Sequence, residues 1–190
     1  MPELPDVEYF RHFLDKKALH QKINKVTVSD DRILKETTPQ GLGKSLKSTQ
    51  IESTKRQGKY LCASIDNGTV LVLHFGMTGF LNYYHSDETP PKHERVAFHF
   101  INGYNLGYHC QRLLGQVRLE KSIDELRQKE DLGIDALSDQ LEEETFLQLA
   151  QEKNGSLKSF LMDQSTISGI GNVYSNEILF QLGFHPKIKI

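Results

Sequence analysis

The stretch that decides the fold is residues 60–75, Tyr-Leu-Cys-Ala-Ser-Ile-Asp-Asn-Gly-Thr-Val-Leu-Val-Leu-His-Phe. Its centre, Asn67-Gly68, is a dipeptide typical of a two-residue hairpin turn, and the runs on either side are those of strands. Asn102-Gly103 repeats the arrangement further along the chain. The sequence therefore predicts antiparallel strands that are joined by tight turns.

The middle of the chain has a period of two in its apolar residues, which indicates strands. The strands are predicted at residues 23–29, 51–57, 60–66, 69–75, 80–84, 96–101, 104–108 and 116–120. Before them, Val7, Phe10 and Leu14 recur at helical spacing and predict an amphipathic helix over residues 5–19. Eight strands with tight turns behind one leading helix predict an antiparallel β-sandwich.

The pattern becomes helical after Leu119. Ser122 and Glu125 form a capping box that predicts a short helix, and further helices are predicted at residues 142–151, 157–162 and 172–182. The last of them ends before Gly183, a residue type that often terminates helices. A boundary near residues 131–133 follows, so we predict an α+β fold with two domains, a β-sandwich over residues 1–131 and a helical domain over residues 132–190.

The composition is that of an ordinary globular protein with a real core: 190 residues, 37% apolar and 25% charged. No run approaches the roughly 18 consecutive apolar residues of a membrane span, and residues 1–20 lack the apolar block of a secretory signal. We therefore expect a cytoplasmic protein with no membrane partner. Cys62 and Cys110 are isolated, so we expect free thiols and no metal site.

The N-terminus carries candidate chemistry. A small residue at position 2 allows Met1 to be removed, which would leave Pro2 with a free secondary amine. An α-amino group has a pKa of about 8, so part of it is nucleophilic near neutrality and condenses with an aldehyde-level carbon to an iminium. Glu3 places a carboxyl beside it that is able to exchange protons. The alternative is an ordinary proline-containing terminus without function.

Three other segments carry candidate binding residues. In residues 168–172, Ser-Gly-Ile-Gly-Asn, two glycines precede a helix whose N-terminus attracts anions, or they simply shape a tight helical turn. Lys59 opens a strand, where lysines are usually solvated. Met77 lies between glycines that present it outward for insertion or allow it to tuck under the sheet.

Five motifs occur in the order of a known family. They are residues 1–8 (Met-Pro-Glu-Leu-Pro-Asp-Val-Glu), 57–61 (Gln-Gly-Lys-Tyr-Leu), 74–79 (His-Phe-Gly-Met-Thr-Gly), 161–164 (Leu-Met-Asp-Gln) and 169–174 (Gly-Ile-Gly-Asn-Val-Tyr). On these motifs the chain resembles the formamidopyrimidine-DNA glycosylase and endonuclease VIII family of base-excision repair enzymes for oxidised bases. The resemblance runs from the N-terminus to about Pro186. It implies that the helical domain is a helix–two-turn–helix domain.

The resemblance also implies roles for individual residues. Catalysis is assigned to Pro2, Glu3 and Lys59. DNA binding is assigned to His74, Met77, Arg112, Leu114, Lys158, Gly171 and Asn172. In the family, Met77 wedges into the duplex, Arg112 contacts the orphaned base and Asn172 binds the backbone, whereas Tyr174 is expected in the core. For His74 a structural role is also open, because a strand-end histidine needs only one hydrogen-bond partner.

The implied activity is the removal of 8-oxoguanine and formamidopyrimidine from duplex DNA. Strand cleavage follows by β/δ-elimination through a Schiff base on Pro2. The resemblance implies no metal or organic cofactor in this chemistry. The implied partner is damaged double-stranded DNA, which we expect a monomer to bind in a bacterial cytosol or nucleoid.

The sequence departs from the family in two places. Residues 109–114, His-Cys-Gln-Arg-Leu-Leu, replace the usual Asp-Pro-Arg-Arg-aromatic run. Leu114 would therefore wedge without aromatic stacking, and the resemblance does not extend to the preference for the opposite base. The four-cysteine zinc finger is also absent before the sequence ends at Ile190. We therefore expect weaker DNA affinity. We also expect some of the surface that usually covers three apolar side chains to be missing, those of Phe180, Leu182 and Phe184.

The net charge of −2 is unfavourable for DNA binding. We nevertheless expect a locally positive surface, because basic residues lie in or near the motifs. They are Lys55, Arg56, Lys59, Arg112 and Lys158. Two alternatives stay open: a catalytically weak remnant that binds damaged or abasic DNA, and an ordinary β-sandwich that binds another protein.

Overall fold

The computed structural model describes residues 2–190, so the expected removal of Met1 lies outside the described residues. The chain forms two compact units. The first contains the residues up to Arg56 together with Tyr60–Ile123, and the second contains Gln57–Lys59 together with Asp124–Ile190. The short segment Gln57–Lys59 thus belongs by its contacts to the second unit, although it lies between two strands of the first.

The first unit is a β-sandwich of two four-stranded sheets. Its strands are β1 (Ile23–Val28), β2 (Ile51–Gln57), β3 (Tyr60–Ile65), β4 (Val70–His74), β5 (Gly79–His85), β6 (Glu94–Phe100), β7 (Tyr104–Cys110) and β8 (Gln116–Glu120). One sheet has the order β1-β6-β7-β5 and the other the order β2-β3-β4-β8. The eight-stranded sandwich and the α+β class are therefore confirmed.

The predicted hairpin at Asn67-Gly68 joins β3 to β4, with Tyr60 opposite His74. Gly68 has φ +86°, a left-handed conformation that suits glycine in such a turn. The leading helix α1 (Leu4–Ala18) is also confirmed and buries Val7 and Leu14 in the core between the sheets.

Two helical elements of the first unit were not predicted. They are a single 3-10 turn at Asp31–Ile33 and helix α2 (Pro39–Leu46). The glycines at positions 41 and 43 weaken the helical pattern of α2. Its start signals are present, however, because Thr38 caps the helix through the N–H of Gly41 and Pro39 follows at the first turn.

The second unit is mainly helical. Its helices are α3 (Ile123–Lys129), α4 (Glu143–Gln151), α5 (Leu157–Met162) and α6 (Asn172–Gln181), and two short parallel strands are β9 (Ile134–Asp135) and β10 (Ile167–Ser168). Helix α3 begins one residue before the boundary between the units. Phe160, Leu161, Ile167 and Leu179 form the centre of its small core.

Beside that core lies an uncovered apolar surface. Phe180, Leu182 and Phe184 are exposed, as expected from the sequence. Within residues 2–190, no helix has the length and apolar character that crossing a membrane requires.

Candidate functional site

The N-terminal candidates lie at the start of α1. Glu3 is the N-cap of this helix, and its N–H donates to the Asp6 carboxylate at 2.9 Å. The Glu3 side chain is almost completely buried, with 1% of its surface exposed, whereas Pro2 is half-buried just outside the helix. The positive end of the helix dipole favours a carboxylate at this position. The fold therefore fixes an acidic group directly beside Pro2.

A charged network holds the same helix. Arg11 bridges Glu8 at 2.6 Å and Asp15 at 2.9 Å, and the bond from Arg11 lowers the pKa of Glu8. Arg56 on β2 lies 3.5 Å from Glu8, and its side chain is largely buried. The expectation that Arg56 adds to a positive surface is therefore wrong, because its charge faces a carboxylate of α1.

Lys59 is held in place through its neighbour Gly58. The Gly58 N–H donates to the Asp135 carboxylate of β9 at 2.7 Å. Gly58 has φ +55°, and a Cβ at this position would lie only 3.0 Å from the Cβ of Ser168. The backbone before Lys59 is thus packed against β9 and β10 of the second unit.

The glycine-rich segment 168–172 is shaped by Gln164. The side-chain nitrogen of Gln164 donates to the carbonyls of Met162 and Ile170, at 2.8 Å each. Its oxygen accepts the N–H of Gly169 at 3.0 Å. One amide therefore fixes three backbone groups around the turn that leads into α6.

Asp163, next to Gln164, stabilises the preceding turn. Its carboxylate accepts the hydroxyls of Ser165 and Thr166 at 2.8 Å each and the ammonium of Lys153 at 3.0 Å. The hydroxyls hold the pKa of Asp163 well below its usual range, so the group is ionised at neutral pH.

Two predicted DNA-binding residues meet at the start of α6. The Lys158 ammonium donates to the side-chain oxygen of Asn172 at 2.8 Å. Asn172 is exposed and opens the helix behind the N-cap Gly171, which is buried. Because the amide oxygen faces Lys158, the amide nitrogen is the donor that faces away from it. A cation, an amide donor and a helix N-terminus together favour an anion.

The other predicted contacts lie on loops of the first unit. Met77 follows β4 and is 41% exposed, while Leu114 precedes β8 and is 49% exposed. This exposure favours the outward orientation of Met77 over the tucked one. Arg112 is also exposed. His74 lies at the end of β4, where its ring is 4.8 Å from that of Tyr60 and its carbonyl accepts the Tyr108 hydroxyl at 2.7 Å.

The predicted residues thus form two groups, one on each unit. The first unit carries Pro2, Glu3, His74, Met77, Arg112 and Leu114, and the second carries Lys59, Lys158, Gly171 and Asn172. Tyr174 was expected in the core, which is wrong: 40% of its surface is exposed on α6.

Sequence reasoning missed the residues that hold these groups in place. Asp135 carried no signal of its own, and Thr78 lies within the motif of residues 74–79 but nothing there indicated that its hydroxyl accepts the N–H of Arg112. Each of the two residues acts on a segment distant in sequence. Gln164 lies within a recognised motif, but its three bonds to the backbone depend on the turn being formed. Only its position just before a glycine-rich turn pointed to such a role.

The described residues do not offer a zinc-finger ligand set. Cys62 and Cys110 are both buried and lie in different sheets, on β3 and β7. Burial raises the pKa of the Cys62 thiol to about 12, which disfavours the thiolate that a metal binds. Across residues 2–190, no cluster of three histidine, cysteine or acidic side chains is placed to hold a metal ion.

Comparison with protein families covers most of the chain. Residues 1–117 match the formamidopyrimidine-DNA glycosylase N-terminal domain, and residues 132–189 match the formamidopyrimidine-DNA glycosylase H2TH domain, the helix–two-turn–helix element.

Similar proteins agree with these matches. The formamidopyrimidine-DNA glycosylase of Mycoplasma genitalium is 35% identical over 100% of this chain and 67% of its own length. That of Cytobacillus firmus is 34% identical over 98% of this chain and 69% of its own. A structure of the Lactococcus lactis enzyme, non-covalently bound to DNA with an AP site, has a TM-score of 0.92 at 27% identity. The superposition covers 99% of this chain and 72% of that one.

Proposed function

The chain belongs to the formamidopyrimidine-DNA glycosylase family, and on this premise we propose that it removes 8-oxoguanine and formamidopyrimidine from duplex DNA and then cleaves the abasic strand. Cleavage proceeds by β/δ-elimination through a Schiff base on Pro2. The enzyme is thus a DNA glycosylase of base-excision repair with AP-lyase activity. Neither a metal nor an organic cofactor takes part in the chemistry.

The observation that carries the proposal is the pair Pro2 and Glu3. Once Met1 is removed, Pro2 presents a secondary amine, and Glu3 supplies a buried carboxyl one residue away. A buried carboxyl exchanges protons with a bound sugar more effectively than a solvated one, since water competes less for it. No other pair of residues in the sequence combines a nucleophilic terminus with an acid.

The reaction begins when the Pro2 nitrogen attacks C1′ of the damaged nucleotide. The bond from C1′ to the base breaks, and the base leaves with a proton. Glu3 assists the opening of the sugar ring and the proton transfers. The resulting iminium acidifies the hydrogens on C2′, so loss of one of them expels the 3′ phosphate, and a second elimination expels the 5′ phosphate. Hydrolysis of the iminium then returns the free amine.

The remaining predicted residues bind the DNA. Met77 and Leu114 are exposed apolar side chains that fill the gap left by an extruded nucleotide, whose unstacking costs a few kcal/mol. Arg112 contacts the orphaned base. Lys158 and Asn172 bind a backbone phosphate at the N-terminus of α6. Lys59 stabilises developing charge next to the reacting sugar.

Borohydride trapping tests the proposal. Borohydride reduces an iminium to a stable amine, so protein incubated with duplex DNA that contains 8-oxoguanine or an abasic site becomes covalently attached to the cleaved strand. Peptide mapping is expected to locate the adduct at Pro2, and mass spectrometry of the free protein to show that Met1 is absent. Absence of any adduct from protein with an authentic Pro2 terminus would overturn the proposed lyase.

Two variants sharpen this test. Pro2→Gly retains an amine, but its imine has a proton to lose and becomes neutral, so it is a weaker electron sink. We expect trapping and nicking to fall about tenfold or more. Pro5→Ala is the matched control, because it changes the other proline of the same terminus, within α1, and is expected to retain wild-type trapping.

A second candidate is a protein that binds damaged or abasic DNA with little turnover, because Lys158 with Asn172 and the exposed Met77 are DNA-contact features that need no chemistry at Pro2. Binding to a duplex that contains a tetrahydrofuran site, without nicking of abasic DNA and without an adduct, would support this function over the lyase.

A further inference from the structure

The loops that carry Met77 and Arg112 are joined to each other at several points. The Thr78 hydroxyl, next to Met77, accepts the backbone N–H of Arg112 at 3.1 Å. This bond connects residues that are 34 positions apart in the sequence. It lies between the tips of the two loops, each of which presents an exposed apolar side chain.

A second contact joins the same loops through their backbones. Gly76 has φ +56°, and a Cβ at this position would overlap the carbonyl of Leu114 and lie 2.6 Å from the nitrogen of Gly115. The backbones of the two loops therefore touch without any side chain between them. Beneath them, the Tyr108 hydroxyl donates to the His74 carbonyl at 2.7 Å, and Gly115 leaves the space that this hydroxyl occupies.

The backbone of the second loop is strained at Leu113. Its φ of +53° is a left-handed conformation that a bulky residue rarely adopts. Such a conformation persists only when surrounding contacts impose it. Thr78 holds the residue before Leu113 and Gly76 packs against the residue after it, so the contacts with the first loop flank the strained position on both sides.

We propose that Thr78 is a positioning residue which locks the Arg112 loop to the Met77 loop, so that Met77, Arg112 and Leu114 read the DNA strand opposite the lesion as one rigid body. This inference rests on the proposed function, because it assigns the lock a role in DNA recognition. Leu114 cannot stack on a base as an aromatic residue does, so discrimination depends on the placement of Arg112. The hydroxyl of Thr78 fixes that placement through the backbone.

The lock itself is tested on the free protein by hydrogen exchange. Thr78→Val keeps the shape of the side chain and removes the acceptor, and we expect the Arg112 amide to exchange about tenfold faster, as loss of one hydrogen bond predicts. Thr78→Ser retains the hydroxyl and is expected to retain wild-type exchange. Unchanged exchange in Thr78→Val would overturn the lock, whether or not the protein acts on DNA.

The role in recognition is tested by single-turnover excision of 8-oxoguanine opposite dC and opposite dA. We expect Thr78→Val to reduce the ratio of the two rates toward one, by about fivefold to tenfold, and Thr78→Ser to restore it. Borohydride trapping on a single-stranded abasic oligonucleotide, which has no opposite base, is expected to be unchanged in both variants.

The outcomes separate the two proposals. Absence of an adduct from the wild-type protein overturns the proposed function, while hydrogen exchange still reports the lock. Normal trapping with an unchanged dC-to-dA ratio in Thr78→Val overturns the role of Thr78 in recognition. If Thr78→Val does not fold, Thr78→Ala removes the hydroxyl together with the γ-methyl group and introduces no new atom. The ratio of the excision rates opposite dC and opposite dA then decides in the same way.

Discussion

The two loop regions with predicted DNA contacts are held in place by different means. In the first unit, segments 76–79 and 111–115 are packed backbone against backbone, with glycines where no side chain fits. In the second unit, segment 168–172 is held by the side-chain amide of Gln164. Close packing fails when an atom is added, whereas a hydrogen-bonded turn fails when a partner is removed. Apart from the bond of Thr78, the first region should therefore be most sensitive to added atoms, and the second to the loss of a hydrogen-bond partner.

The largest effect is expected from adding a methyl group to the packed region. Gly76→Ala combines a left-handed backbone with an overlap on the Leu114 carbonyl, so we expect the free energy of unfolding to fall by about 4 kcal/mol. Urea denaturation measures it.

Gly68→Ala is the matched control for Gly76→Ala. Gly68 also has a left-handed φ, but nothing lies within 4 Å of an added Cβ. Only the backbone strain applies, and a loss of about 1 kcal/mol is expected. Equal losses in the two variants would show that packing against Leu114 contributes nothing.

The second effect is the deletion of the amide in the hydrogen-bonded region. Gln164→Leu removes three hydrogen bonds and leaves the Gly169 N–H without its acceptor, so we expect a loss of about 3 kcal/mol and weaker binding to a tetrahydrofuran duplex. Gln148→Leu, on the exposed side of α4, is the control and should leave both quantities unchanged. Retention of DNA affinity in Gln164→Leu would contradict the importance of the turn.

The third prediction concerns Asp135, whose carboxylate holds the backbone before Lys59 within the second unit. Asp135→Ala leaves the Gly58 N–H without its carboxylate, and we expect a loss of about 2 kcal/mol with faster exchange of the Gly58 amide. The Asp135 carboxylate also accepts the N–H of Leu137 at 3.0 Å, so Asp135→Asn keeps only one of the two oxygen acceptors and should recover part of the protection. If the two variants behave alike, the carboxylate rather than the acceptor is what matters.

The smallest effect is the pH dependence, and it has opposite signs in the two units. In the first unit, burial raises the pKa of Glu94, which accepts the Tyr84 hydroxyl at 2.7 Å. At a pH between the unfolded and folded pKa values of Glu94, the folded protein therefore keeps a proton that the unfolded chain has lost. Glu94 lowers stability as the pH rises above its unfolded value of about 4.3 and through its folded pKa.

In the second unit, the hydroxyls of Ser165 and Thr166 lower the pKa of Asp163. The stability that Asp163 contributes is present above its unfolded value of about 3.9 and is lost as the pH falls toward the folded pKa. Partial exposure of Asp163 reduces the effect. Glu94→Gln should flatten the fall of the unfolding free energy as the pH rises above about 4.3. Asp163→Asn should flatten the fall of the unfolding free energy as the pH drops below about 3.9. Equal pH profiles in both variants would contradict these assignments.

Elements with strong local patterns were predicted closely. Strands β2 and β8 and helix α5 have the predicted bounds, and α1 begins and ends one residue earlier than predicted. The parallel strands β9 and β10 were missed because each has two residues, too few to show a period. Helix α2 was missed because its glycines outweighed the signals at Thr38 and Pro39.

Two predictions about the candidate site are wrong for the same reason. Arg56 was counted as a surface cation but is compensated by Glu8, and Tyr174 was assigned to a core that it does not enter. In both cases the residue type was read without its neighbours in space. Charge compensation and burial depend on residues that are distant in sequence.

The sequence by itself determined the sandwich, the helical second unit and the family, because alternation, hairpin turns and short motifs are local properties of the chain. Only the tertiary structure decided how the candidate loops are held, through Thr78 with Arg112, Gly76 with Leu114 and Asp135 with Gly58. Each of these contacts joins segments far apart along the chain. A hydrogen bond or a backbone contact of that kind exists only after folding brings its partners within a few ångströms, and no local pattern records it.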